Sequence, residues 1–132
     1  LEAAPSIGAK TAKRFAKIGV ITVGDFLAAD AADMAGALGA RGMTWEALRQ
    51  WQHQARLVME VPGLRGTHAQ LLTGAGYLHA AAVAAADPAA LAADVLRFAS
   101  TTDGQRILRK GEPPSEDKIK GWIGNAAARM AA

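Results

Sequence analysis

The chain of 132 residues contains no cysteine, and this absence removes several functions at once. Disulfide bonds, thiol nucleophiles and cysteine-ligated metal sites are all excluded. No apolar run is long enough to cross a bilayer and no signal peptide is visible, so we expect no membrane partner and a cytoplasmic, reducing location. The chain begins with Leu1, which leads us to expect a piece of a longer protein.

Aromatic residues are scarce as well, at 5% of the chain, although hydrophobic residues make up 51%. Much of the hydrophobic content is alanine, which favours helices and lets them pack closely. Strand-like alternation of useful length is missing. The sequence therefore predicts an all-α fold, and its length fits a single domain over residues 1–132.

Catalytic groups are also absent, since no nucleophile–base pair and no suitably paired carboxylates can be found. We therefore expect no enzyme activity, no cofactor and no metal. The sequence has three histidines, His53, His68 and His79. Their spacing is not that of metal ligands. The three tryptophans are Trp45, Trp51 and Trp122. We predict that they are core or anchor residues and that they do not stack on nucleic-acid bases.

What the chain does contain is an internal repeat. When Pro5 is aligned with Pro62, residues 5–38 lie over residues 62–95 without a gap. Proline, glycine and aspartate agree at equivalent positions, and apolar positions agree between them. The alignment predicts two duplicated helical units, joined by a linking helix over 45–59 and followed by a C-terminal helix over 115–131 that packs on them.

Local signals predict where these helices begin and end. Glycines follow the first helix of each unit, and Thr22 with Asp25 three residues later is typical of a capping pair. Other predicted helix starts carry a capping side chain, and these are Asp30, Thr44, Asp87 before Pro88, and Ser115.

The two turns that open the units resemble a helix-hairpin-helix motif. The first copy is Pro5-Ser6-Ile7-Gly8, followed by Ala12, Phe15 and Gly19. The second is Val61-Pro62-Gly63-Leu64-Arg65-Gly66, followed by Ala69, Leu72 and Gly76. The tandem arrangement is similar to a bacterial domain family of unknown function built from two such repeats, and the resemblance covers nearly the whole chain. In DNA-binding members of the wider superfamily the hairpin amides hold a phosphate, so the resemblance implies contact with the DNA backbone that does not depend on base sequence.

Both copies depart from the motif at one glycine. Ser6 stands where the first hairpin glycine is expected, which is a mild change because serine is small and its hydroxyl can itself bind phosphate. Arg65 stands where the second glycine of the other hairpin is expected. Since arginine does not easily take a positive φ, we expect that hairpin to be reshaped around Gly66 or to have lost its phosphate cradle.

Positive charge is concentrated on the first helix. The net charge is +3, and Lys10, Lys13, Arg14 and Lys17 share one face that begins at the helix N-terminus, against the helix dipole. A solvated lysine face is the alternative. The predicted nucleic-acid-binding residues are Ser6, Ile7, Gly8, Lys10, Lys13, Arg14 and Lys17. A secondary set in the second copy comprises Gly63, Arg65, Gly66 and His68.

Basic residues elsewhere carry less weight. Arg49 and Arg56 lie seven residues apart on the linking helix, with Arg41 before it, and we interpret them as surface charge without a partner. Two functions stay open. One is a sequence-independent DNA-binding accessory domain, and the other is a protein-interaction module that contacts another protein or another domain of a larger bacterial protein.

Overall fold

The computed structural model describes residues 1–131, and these residues form nine α-helices and no β-strand. The all-α fold expected from the composition is therefore confirmed. The helices are α1 (Ala9–Ala16), α2 (Val23–Ala28), α3 (Ala31–Leu38), α4 (Trp45–Glu60), α5 (Gly66–Gly74), α6 (Ala80–Ala84), α7 (Pro88–Ala99), α8 (Thr102–Leu108) and α9 (Glu116–Ala131).

Short polar side chains fix where most of these helices begin. At α2 the Thr22 hydroxyl accepts the Asp25 N–H at 3.0 Å, and the Asp25 carboxylate accepts the Thr22 N–H at 3.1 Å. Backbone hydrogen bonds from Thr22 and Ile21 hold the pKa of Asp25 below its usual range. The other predicted caps are also present at α3, α4, α7 and α9, from Asp30, Thr44, Asp87 and Ser115.

The helices recur along the chain with a constant spacing. Each of α1, α2 and α3 begins 57 residues before α5, α6 and α7, respectively. The turns recur at the same spacing, because Ser6 and Gly63 have φ of 69° and 80°, and Gly19 and Gly76 have φ of 83° and 99°. Helix starts and left-handed turns thus coincide at equivalent positions of the two segments.

Two hydrophobic clusters form the interior. In the first, the rings of Phe15 and Phe26 meet edge to face with their centroids 5.3 Å apart. The second contains Leu72 and Leu91, and it also includes Trp122 from α9. The side chains of Phe15, Phe26, Leu72 and Leu91 are fully buried. Leu27 and Trp51 are only partly buried at the edge of the first cluster.

The helix α4 supplies side chains to both clusters. Leu48 and Ala55 belong to the first cluster, whereas Leu57 belongs to the second together with Val61, the residue that ends the helix. All of these side chains are at most 1% exposed. Burial of this extent makes α4 a shared wall between the two halves, rather than a connector lying on the surface.

The C-terminal helix α9 packs on the second cluster. Its buried residues, Ile119, Trp122 and Ala126, all belong to that cluster, whereas we expected this helix to pack on both units. One tryptophan also differs from expectation. Trp45, the first residue of α4, is 53% exposed and is therefore no core residue.

Candidate nucleic-acid interface

The first hairpin is the turn over residues 4–8 that leads into α1. The Ile7 N–H donates to the Ala4 carbonyl at 3.3 Å, and the Ile7 side chain is buried with 3% exposure, so this predicted site residue anchors the turn from inside. Ser6 has φ of 69°, a left-handed conformation that glycine adopts at little cost. Gly8 is the N-cap of α1 and has an extended backbone.

Backbone N–H groups at the start of α1 have no acceptor within residues 1–131. The first helical amide that finds one is that of Ala12, which donates to the Gly8 carbonyl at 2.9 Å. The amides of Ala9, Lys10 and Thr11 therefore keep their hydrogen-bonding capacity, and no side chain caps this end. A Cβ built on Gly8 would meet no atom within 4 Å, so the space beside these amides is open.

Four exposed cations lie along α1 and at its C-cap. They are Lys10, Lys13, Arg14 and Lys17. Within residues 1–131 the ion pairs are Arg97 with Asp94 and Arg106 with Asp103, so no carboxylate neutralises the first helix. Its first turn also lacks an acidic residue. At the start of α1 the helix dipole and Lys10 both add positive potential, whereas Lys13 and Arg14 lie in the last turn, where the dipole favours cations, and so do not lie against it as expected.

A further arginine joins this face from outside the first helix. Arg14 and Lys17 line a groove of about 540 Å³ together with Arg41, which follows α3. The sequence alone did not predict that Arg41 lies near Arg14 and Lys17, because this proximity depends on how α3 packs relative to α1. The cationic surface is therefore wider than the helix face alone.

The Ser6 hydroxyl is not free to donate to a phosphate, contrary to expectation. It donates to Oε1 of Gln54 on α4 at 2.7 Å and accepts from Nε2 of Gln70 on α5 at 2.9 Å. The hydroxyl hydrogen is therefore used within the protein. What Ser6 contributes to the hairpin is its left-handed backbone and a fixed position relative to α4 and α5.

The expected reshaping of the second hairpin at Arg65 is wrong. Arg65 is the N-cap of α5 with φ of −87°, the same extended conformation that Gly8 takes at −91° before α1. The positive φ falls on Gly63, at the position equivalent to Ser6. Arginine is therefore compatible with this turn, and no strain is required of its backbone.

The second hairpin is in contact with other elements. Asn125 of α9 donates from Nδ2 to the Pro62 carbonyl at 3.0 Å, and a Cβ on Gly63 would lie 3.7 Å from the same Nδ2. A Cβ on Gly66 would lie 3.6 Å from the Pro5 side chain, so the two hairpins lie close together. Both turns nevertheless keep an exposed surface, since Gly63 and Arg65 are exposed as Ser6 and Gly8 are, and no side chain caps α5.

His68 is part of this packed region. Its ring lies against that of Trp122 with centroids 4.7 Å apart, and Nδ1 is buried without a hydrogen-bond partner in the described part of the chain. Burial lowers the pKa of His68, and the charges of Lys118 and Arg65 lower it further. Sequence reasoning paired His68 with Arg65 but missed Lys118, which α9 brings close.

The geometry also bears on metal binding and on membrane insertion. Across residues 1–131, no three metal-ligating side chains of the His, Asp or Glu type are grouped so as to hold an ion. None of the helices in the described chain combines the length and apolar character needed to cross a bilayer.

The fold and the site together define an all-α protein in which an uncapped helix N-terminus is bordered by unpaired cations. The chain belongs to the family described as Domain of unknown function (DUF4332), which matches residues 5–129. The expected membership of a family of unknown function is confirmed at that level. No curated protein matches the chain, and no solved structure does so.

Proposed function

We propose that this chain is a non-catalytic domain that binds DNA without regard to sequence. In this proposal, residues 5–38 and 62–95 are two helix-hairpin-helix units, and the first of them contacts phosphates. The contact surface comprises the backbone of the first hairpin and the cationic face of α1, which we define as Lys10, Lys13, Arg14 and Lys17, with Arg41 beside it.

The repeated geometry supports the two-unit description. Equivalent helices start at a constant spacing, and equivalent turns carry a positive φ at Ser6 and Gly63. The hydrogen bonds recur too, since Val20 N–H donates to the Phe15 carbonyl at 3.0 Å and Tyr77 N–H donates to Leu72 at 2.9 Å. Chance would not be expected to produce both sets of agreements in unrelated halves.

The observation that carries the DNA proposal is the placement of free amides next to unpaired cations. Helix N-termini favour anions because their N–H groups lack partners and the helix dipole is positive there. Cations placed on the same helix repel one another when no anion is bound. The negative charges of a phosphate backbone would offset this repulsion. Such contacts read no base edges, so the binding is expected to be sequence-independent.

The location follows from the proposed ligand. Chromosomal DNA of a bacterium lies in the cytoplasm, and a domain that binds it would work there as an accessory part of a larger protein.

Charge reversal on the first helix tests the proposal. The double variant Lys13→Glu with Arg14→Glu is expected to lose most affinity for labelled duplex and single-stranded DNA. With about three phosphates contacted, the wild-type log–log slope of affinity against salt is expected near −3, and the variant should flatten it. Titrations at two salt concentrations measure both quantities.

A matched control separates a local site from net charge. Lys120→Glu with Arg129→Glu on α9 makes the same change in net charge at exposed positions. We expect this control to lose much less affinity. Equal losses in the two double variants would mean that bulk charge alone attracts DNA, and salt-insensitive or absent binding by the wild type would remove the proposal altogether.

Changes in the hairpin backbone complete the test. Gly8→Val puts a branched side chain into the open space beside the free amides and is expected to weaken DNA binding with little effect on stability. Arg65→Ala in the second hairpin should matter much less, because α5 carries no cationic face comparable to that of α1. If Arg65→Ala were as damaging as the α1 double variant, the first hairpin would not be the principal site.

The second candidate function is a protein-interaction module. Large apolar side chains near both ends of α4 favour it, since Trp45 is 53% exposed and Met59 is 55% exposed. The partner would be another protein or another domain of the same parent chain. Wild-type protein that binds no DNA at low salt would favour this function.

A further inference from the structure

A second group of basic side chains surrounds a cavity beside α4. Arg49, His53 and Arg56 lie three and four residues apart, which places them on one face of that helix. His79, the residue before α6, completes the lining of a cavity of about 250 Å³. The histidines are distant in sequence, so spacing alone could not indicate this cluster.

The two imidazoles are in direct contact. Their ring centroids lie 5.3 Å apart with an angle of 89° between the planes, which is an edge-to-face arrangement. His79 occupies the N-cap position of α6, yet its side chain makes no capping hydrogen bond. No carboxylate lines the cavity, and within residues 1–131 neither Arg49 nor Arg56 forms an ion pair.

One wall of the cavity is held in place by a buried amide. Gln52 donates from Nε2 to the carbonyl of Phe26 at 2.9 Å and to that of Ala29 at 2.8 Å, and Gln52 itself is only 9% exposed. These bonds tie the end of α2 to α4. The cavity is therefore formed by elements already fixed in the folded chain, which lowers the ordering cost of binding.

A metal ion fits this arrangement poorly. Two imidazoles would supply too few ligands, and the guanidinium groups of Arg49 and Arg56 would repel a cation. An anion is favoured by the same charges, because arginine offers paired N–H donors and a protonated histidine offers two more. The cavity is also smaller than the range of roughly 300–1,000 Å³ typical of drug-sized ligands, so a compact group suits it.

We propose that this pocket binds a compact dianion of the phosphate type, either inorganic phosphate or the terminal group of a phosphate monoester, held by Arg49, Arg56, His53 and His79. None of these residues belongs to the cationic face of α1 or to the first hairpin. The proposal therefore stands independently of DNA binding by that surface.

The binding should be linked to protonation of His53. Burial is the main cause that lowers the pKa of His53. Electrostatic effects of Arg49, His79 and Arg56, from the largest to the smallest, lower it further. These are the charged and titratable groups that face His53, from its own helix and from the turn before α6. A bound dianion reverses the sign of the local field, so it raises the pKa and takes up protons. Affinity is thus expected to rise as pH falls through the histidine range.

The test is a titration of the whole chain with sulfate and with inorganic phosphate, followed by NMR of the His53 and His79 ring C–H signals. Sulfate remains a dianion throughout, whereas phosphate loses a charge on acidification, so sulfate isolates the protein's own titration. We expect saturable shifts at about pH 5.5 and affinity at least about ten-fold lower at about pH 8. Chloride at equal ionic strength is expected to give no saturation.

The identity of the ligand is tested with two esters. Methyl phosphate is expected to bind about as well as inorganic phosphate when both affinities are referred to the concentration of the dianion, which would indicate that a terminal phosphate group is accepted. If only inorganic phosphate binds, the site takes the free ion. Dimethyl phosphate carries one charge like the DNA backbone and is expected to bind at least about ten-fold more weakly.

Matched variants complete the test. Arg49→Gln removes a charged donor at an exposed position and is expected to reduce sulfate affinity at least about ten-fold. Lys120→Gln on α9 should have no effect, and Lys13→Glu with Arg14→Glu should leave the sulfate titration unchanged. If the wild type shows no saturation at about pH 5.5, or if Arg49→Gln and Lys120→Gln respond alike, the pocket is only a cluster of solvated charges.

Discussion

At the scale of single residues, Gly104 marks the closest approach of α8 to α7. A Cβ at this position would lie 2.6 Å from the Ala99 Cα and would overlap the Phe98 carbonyl. Both are backbone atoms of the preceding helix, so they cannot turn aside as the end of a side chain could. The Thr101 hydroxyl also accepts the Gly104 N–H at 3.1 Å, which fixes the start of α8 in place.

We therefore predict that Gly104→Ala destabilises the protein by about 1–3 kcal/mol or more, because α7 and α8 must separate to admit the methyl group. Gly121→Ala on α9 is the matched control, since a Cβ there meets open space. The control is expected to add about 0.5–1 kcal/mol of stability by favouring the helix. Urea unfolding measures both, and equal midpoints would show that α8 can move freely.

Single residues differ in how far the sequence could predict them. The caps at Thr22 and Asp87 were predictable because a capping side chain bonds amides only three residues away. We expected a reshaped turn at Arg65 because the motif does not indicate which of its two glycine positions requires a positive φ. The positive φ falls on Gly63. The His53–His79 contact could not be predicted, since it depends on how α4 and the turn before α6 meet.

At the scale of elements, the hydroxyl of Ser6 connects three parts of the chain. It joins the first hairpin to α4 through Gln54 and to α5 through Gln70. Gln54 is only 6% exposed, whereas Ser6 itself is exposed. These hydrogen bonds therefore add to the buried side chain of Ile7 in holding the first hairpin against the two helices.

Two substitutions separate this link from the backbone conformation of Ser6. Ser6→Ala removes both hydrogen bonds and keeps the left-handed φ, so it is expected to cost about 1–3 kcal/mol. Ser6→Gly removes the same bonds and relieves the left-handed strain, so it should be about 1 kcal/mol less destabilising than alanine. Denaturant unfolding distinguishes them, and identical stabilities would mean that the φ of 69° carries no strain.

The elements themselves were largely predictable. The linking helix was expected over residues 45–59 and ends one residue later, and the final helix was expected from Ser115 and begins at Glu116. Local caps and breaks determine such boundaries. The choice of neighbours for α9 was not predictable, because its apolar residues are equally compatible with either cluster until the helices are assembled.

At the scale of the whole molecule, two histidines make stability depend on pH. The pKa values of both His53 and His68 are lowered, in each case first by burial. The unfolded chain therefore binds protons at a higher pH than the folded chain does. Stability is fully present above the unfolded pKa of about 6.5 and declines as the pH falls below it.

We predict that the urea midpoint falls between about pH 7.5 and about pH 5 in a chloride buffer. His53→Gln combined with His68→Gln is expected to flatten this dependence, because the variant lacks the groups that titrate. Lys120→Gln on α9 serves as a control at an exposed position that leaves both rings in place. A wild-type midpoint that rises on acidification would contradict the predicted sign.

The division of α4 between two clusters has a consequence for how the chain can be cut. A break after Val61 would keep Leu57 on the first fragment, although its cluster lies on the second. A break before Trp45 would keep Leu48 and Ala55 on the second fragment, although their cluster lies on the first. In each case one fragment would lack part of its cluster. We therefore expect that fragments made at either end of α4 regain full structure only when they are mixed.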